Sequence, residues 1–108
     1  MQEDLLKIIN HYGVFNQLKK LNEECYELIE AIKDYEYQKE ACMNNHCTEL
    51  HVEKCKKHIE EEFADVMVML EQFKAFYELD NDKIVDIMYS KTDRQLERIE
   101  REVNNGKQ

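Results

Sequence analysis

The sequence predicts an all-α fold, a four-helix bundle built around a long central antiparallel helical hairpin. Three observations carry that expectation. Proline is absent and glycine occurs only twice among 108 residues, so the two strongest helix breakers are almost missing. Charged residues make up 36% and hydrophobic residues 43% of the chain, the mixture of an amphipathic helical protein. Apolar side chains recur at spacings of three and four through most of the length, the period of a helix face.

A first helix is expected over Gln2 to Tyr12, where Leu5, Leu6, Ile8, Ile9 and Tyr12 are apolar and Gly13 stands where a helix stops. From about Val14 to about Cys42 the residues Leu18, Leu21, Cys25, Leu28, Ile29 and Ile32 mark one face of a second helix. Asn44 and Asn45 suit a turn, and the Thr48 hydroxyl suits the cap of the next helix. The third helix runs to about Glu78, and its half from Phe63 is apolar on nearly every side, as a subunit interface would be. After a break at Leu79 to Asn81, a fourth helix starts near Asp82. It carries Ile84, Ile87, Met88, Leu96, Ile99 and Val103 and frays from Asn104.

The length fits one domain over residues 1–108, small enough that association into oligomers would add needed stability. The net charge of -9 argues against a binder of polymeric nucleic acid, which needs a basic patch to displace counterions. Met1 to Lys7 has no basic segment leading into an apolar run, so a cytoplasmic location is expected. Phe63 to Leu79 is interrupted by Asp65, Glu71, Lys74 and Glu78, which excludes a membrane span. The four cysteines, Cys25, Cys42, Cys47 and Cys55, are then expected as reduced thiols.

Acidic residues concentrate in two helix turns, Glu23, Glu24 and Glu27, then Glu60, Glu61, Glu62 and Asp65. Residues three apart share a helix face, so Glu24 with Glu27 and Glu62 with Asp65 each present two carboxylates together. At about 100° per residue, the first pair flanks the stripe of Leu21, Cys25, Leu28 and Ile32. The second flanks Ile59, Phe63, Val66 and Leu70 in the same way. With the turn at Asn44 and Asn45, the two pairs come level across the hairpin and four carboxylates converge. Anions that close repel strongly without a counter-charge, and a hard divalent cation supplies one. Mg2+, with Mn2+ as a substitute, is the natural ion, and it commonly binds substrate phosphates as well. The plain alternative is a solvated acidic surface in a chain with 24 acidic residues. A di-iron bundle would need Glu-x-x-His elements, which neither turn has.

The segment QLKKLNEECYELIEAI from Gln17 to Ile32, with EEEFADVMVML from Glu60 to Leu70, resembles the MazG-like nucleotide pyrophosphohydrolase superfamily. The resemblance runs from Tyr12 to Arg101 and rests on an EExxE element, here Glu23, Glu24 and Glu27, followed by ExxD, here Glu62 and Asp65. It implies an all-α homodimer or homotetramer that hydrolyses nucleoside triphosphates to the monophosphate and pyrophosphate with Mg2+. Glu24, Glu27, Glu62 and Asp65 would be the metal ligands, and Glu23 or Glu61 would orient or deprotonate the attacking water. Lys91, Arg94 and Arg98, on one face of the last helix, would join Lys20 and Gln17 in holding substrate. The three basic residues are equally readable as a solvated face. The chain departs from the family pattern at Thr92 and Asp93, where an asparagine is usual, which leaves the sugar and phosphate contacts open.

Two further groups stand apart from that pattern. Tyr12, Phe15 and Gln17 fit either a base-holding role or, for the rings, packing. His51, Cys55 and His58 share a helix face that, with Cys42 or Cys47, offers soft ligands for zinc, or else forms an exposed hairpin tip with His46. Cys25 and Met67 to Met69 read as packing residues. The competing functions are a phosphoribosyl-ATP pyrophosphohydrolase and a non-catalytic helical interaction module.

Overall fold

The computed structural model describes residues 1–44 and 49–106, and the expected turn and cap residues Asn45 and Thr48 lie outside them. All secondary structure among the described residues is helical: α1 (Gln2–Tyr12), α2 (Val14–Met43), α3 (Glu49–Phe76) and α4 (Asn81–Gly106). The all-α expectation and its four helices are therefore met. The chain divides into two compact units, Met1–Tyr77 with the first three helices and a second from Glu78 onward with α4.

A single residue separates α1 from α2. Gly13 adopts φ 90°, a left-handed conformation that glycine enters without penalty, while its N–H still bonds to the Ile9 carbonyl at 2.8 Å. The next element, α2, packs along α3, and α1 lies mainly against α3. Gln17 of α2 meets Gln72 of α3, and Glu24 meets Glu62 and Asp65, so rising numbers on one helix face falling numbers on the other. The hairpin is antiparallel, and its partners lie at nearly equal sequence distances on either side of Asn44.

The core of this unit is narrow. Leu5 and Ile9 from α1, Ala31 from α2, and Val66, Met69 and Ala75 from α3 are buried, Ile9 completely. The buried line of α2 is Gln17, Glu24 and Ala31. Its seven-residue spacing is that of a coiled-coil seam. This differs from the stripe expected to pack, because Leu18, Ile29 and Ile32 remain exposed and the seam is offset from them towards small and polar residues. Leu21, Cys25 and Leu28 of the expected stripe flank the seam half-buried, while Leu18, Ile29 and Ile32 face outwards.

Several ends differ from expectation. The third helix stops at Phe76 rather than Glu78, because Glu78 takes φ 52° and turns the chain out of the right-handed region. Asp80 then caps α4, its Oδ1 accepting hydrogen bonds from the N–H groups of Asp82 at 2.9 Å and Lys83 at 3.2 Å. No glycine or proline intervenes between Val103 and Gly106, and α4 continues to Gly106 instead of fraying from Asn104. Cys42 is disulfide-bonded, which corrects the expectation of four reduced thiols; it lies in the last turn of α2, where the chain is about to leave the helix. Cys25 and Cys55 are free. No helix among the described residues is long and apolar enough to cross a membrane.

Candidate functional site

The acidic turns meet in the middle of the hairpin, where both backbones are held in continuous helix. Glu24, Glu62 and Asp65 each offer a carboxylate oxygen, and these oxygens lie within 4.8 Å of one another. Among the described residues no other three His, Cys, Asp or Glu side chains converge in this way. Burial grades across the group: Glu24 is buried, Glu62 half-buried and Asp65 exposed. The cluster thus opens to solvent on the Asp65 side.

Two of its atoms have no hydrogen-bond partner among the described residues. Glu24 Oε2 and Glu62 Oε2 are both buried and unpaired, a costly state for an anionic oxygen unless a cation satisfies it. The donors are all carboxylate oxygens, the set a hard divalent cation prefers. The residues present therefore fit a metal ion.

Glu27, expected as a fourth ligand, stands beside this trio. Its pKa is raised, first by the charge on Glu24, then by loss of solvent, and then by the charge on Glu62 and the hydrogen bond the two carboxyls share. Glu27 is thus coupled to the group through Glu24 and Glu62 rather than placed within it. Lys20 Nζ sits 3.1 Å from Glu24 Oε1 and 3.9 Å from Glu23 Oε2, and the bond to Glu24 raises the lysine pKa. On α3, His58 Nε2 lies 3.7 Å from Glu62 Oε1 and its Nδ1 lies 3.9 Å from Glu61 Oε2. Glu23 and Glu61 are exposed at the edge of the cluster, in reach of water.

Beside Glu23 a cleft of about 480 Å³ opens between α1, α2 and α3, lined among others by Ile8, Tyr12, Gln17, Lys20 and Met69. Its volume is that of a small-molecule site. At its wall Gln17 Nε2 donates to Gln72 Oε1 at 2.7 Å, and both residues are buried. Gln72 escaped the sequence reading. The signal was a polar residue on the same face as Val66, Met69 and Ala75, one that only a buried partner would explain. Phe15 is 81% exposed and does not line the cleft, so among the described residues it is not a packing residue.

Lys91, Arg94 and Arg98 do share a face of α4, where with Gln95 they border a shallow basic hollow of about 220 Å³. His51, Cys55 and His58 gather no three-ligand group among the described residues, Cys42 is engaged in its disulfide, and His46 and Cys47 lie outside those residues. The zinc reading gains nothing from this arrangement.

Comparison with the models of known protein families matches residues 15–98 to the MazG nucleotide pyrophosphohydrolase domain. The chain belongs to this family. The matched stretch takes in nearly all of α2, the whole of α3 and most of α4, so every carboxylate of the cluster falls within it. No curated protein and no solved structure matches the chain. A MazG nucleotide pyrophosphohydrolase domain acts on nucleotides, and an oxygen-lined acidic cluster able to hold a metal ion accords with that chemistry.

Proposed function

We propose that the protein is a Mg2+-dependent nucleoside triphosphate pyrophosphohydrolase that releases the nucleoside monophosphate and pyrophosphate. The observation that carries this reading is the pair of buried oxygens, Glu24 Oε2 and Glu62 Oε2, left without a hydrogen-bond partner among the described residues on two members of a three-carboxylate cluster. Glu24, Glu62 and Asp65 would hold the ion directly, with Glu27 completing the set once the ion's charge offsets that of its neighbours. Bound Mg2+ would polarise the phosphoryl oxygens and ease deprotonation of a nearby water.

The chain's own residues do the rest. Glu23 or Glu61 takes a proton from the attacking water, since both stand exposed at the cluster's edge. The water oxygen forms a new bond to phosphorus as the anhydride bond between the α and β phosphates breaks. Attack at either phosphorus gives the same two products, and reaction in heavy-oxygen water identifies which one gains the oxygen. The cleft with Tyr12, Gln17 and Gln72 receives base and sugar, and its amide pair supplies directional contacts that simple apolar walls lack. Lys20 lies between that cleft and the carboxylates and supplies positive charge for phosphates.

Pyrophosphate release from a panel of nucleoside triphosphates tests the proposal. Glu24→Gln and Asp65→Asn should each abolish turnover, and undiminished turnover in both variants would sink the assignment. Phosphoribosyl-ATP belongs in the same panel as the competing substrate. A homodimer or homotetramer is part of this reading. Phe63, Met67 and Leu70 lie on one face of α3 and are each about half exposed, a contiguous apolar surface suited to a second subunit. Light scattering that finds only monomer at micromolar concentration would remove that part.

A further inference from the structure

The two ligand-bearing helices repeat the same local arrangement. In Lys20-Leu21-Asn22-Glu23-Glu24 and in His58-Ile59-Glu60-Glu61-Glu62, a basic side chain precedes two adjacent glutamates by three and four residues. Each basic residue lies one helical turn before its glutamates, which places all three on one face. Lys20 Nζ reaches Glu24 Oε1 at 3.1 Å and Glu23 Oε2 at 3.9 Å, while His58 reaches Glu62 Oε1 at 3.7 Å and Glu61 Oε2 at 3.9 Å. In both inner glutamates Oε1 is the oxygen facing the basic group. In both, Oε2 is the buried oxygen without a partner among the described residues.

We propose that Lys20 and His58 are a pair of positioning residues, Lys20 through a direct contact at 3.1 Å and His58 through a looser one at 3.7 Å, each drawing one oxygen of its inner glutamate towards itself so that the other faces the metal. This rests on the reading of Glu24 and Glu62 as metal ligands and assigns the basic residues a task before any substrate arrives. A carboxylate on a flexible glutamate side chain can rotate to offer either oxygen, and an outer partner selects one orientation. Such outer partners typically change metal affinity by about 10–100-fold when removed. Both basic side chains are themselves half exposed, so their removal leaves no cavity in the core.

Nearby positive charge and positioning predict opposite signs. If Lys20 were only a cation beside the site, its removal would tighten binding of a divalent ion by relieving repulsion. If it positions Glu24, removal weakens binding. A residue that touches only the substrate would leave binding in the absence of nucleotide unchanged.

The test is Mn2+ titration by calorimetry on the intact, nucleotide-free chain. Wild type should bind, and Glu24→Gln and Glu62→Gln should not, which secures the ligand assignment independently of the basic residues. Lys20→Met should weaken Mn2+ binding by about tenfold, with His58→Leu showing a smaller loss. Lys20→Arg should restore affinity, and so should His58→Lys, which builds on α3 the arrangement α2 already has. Circular dichroism confirms that the variants fold. Unchanged or tighter binding in Lys20→Met overturns the proposal, as does a loss confined to one of the two helices. Failure of the wild type to bind Mn2+ removes both this inference and the metal site beneath it.

Discussion

Glu24→Gln should make the metal-free protein more stable while destroying its metal response. The oxygens of Glu24 and Glu62 lie within 4.8 Å. Two unit charges at that separation repel by about 3.5 kcal/mol at an effective dielectric near 20. Neutralising Glu24 removes that repulsion and forfeits its pairing with Lys20, an exposed ammonium whose contribution solvent screens. Screening on the open Asp65 side reduces the gain further. The expected net effect is roughly 1–2 kcal/mol, or a rise in melting temperature of roughly 5–15 °C for a chain this small. Thermal melts in a chelator measure it directly. With saturating Mg2+ the order should reverse, because wild type gains binding free energy that the variant lacks. A variant that melts at or below wild type in chelator would refute the reasoning, since Glu24 would then be supporting the fold rather than straining it.

Other outcomes follow from individual contacts. Gln72→Leu leaves the buried Gln17 amide without its partner at a cost of about 1–3 kcal/mol, and Gln17→Leu with Gln72→Leu should recover part of it. Urea denaturation in which the double variant loses the sum of both singles would contradict the pairing. Glu27 has a raised pKa, so the folded chain holds a proton that the unfolded chain releases more readily. Metal-free stability should therefore be greatest below the unfolded pKa and fall as pH rises through the raised folded value, and Glu27→Gln should flatten that slope. Melts from mildly acidic to neutral pH decide, and an unaltered slope in the variant counts against the coupling. Asp80→Ala removes the cap of α4 at a cost of about 1 kcal/mol to that helix. Amide exchange at Asp82 and Lys83 should then accelerate.

The height of the site along the hairpin was legible because helical rise is constant. Once Asn44 is taken as the reversal, Glu24 and Glu27 must come level with Glu62 and Asp65 whatever the details of packing. The helix starts and stops were legible where a backbone preference is strong, as at Gly13, and less so at Glu78, where a residue with no special preference enters the left-handed region. The buried face of α2 was legible only in part, through Leu21, Cys25 and Leu28. Leu18, Ile29 and Ile32 form the more apolar stripe, yet Gln17, Glu24 and Ala31 occupy the seam. Periodicity finds a sticky surface but does not say which neighbour it meets, and close approach of two helices favours small or mutually bonded side chains over bulky ones. The same limit hid Gln72, whose role exists only through a residue far away in sequence. Glu27 illustrates a finer one: helical phase puts it on the right edge, but a few ångströms of side-chain reach decide whether it joins the trio or flanks it.

The hairpin also sets a distance between its chemistry and its reversal. Asn44 lies five to six helical turns beyond Glu24, and at about 1.5 Å per residue that is about 30 Å of continuous helix. A fluorophore or affinity tag attached near Asn44 would ride on a stiff arm well clear of the carboxylates. The reversal is accordingly the natural handle for tethering or labelling this protein while its ion site is being measured.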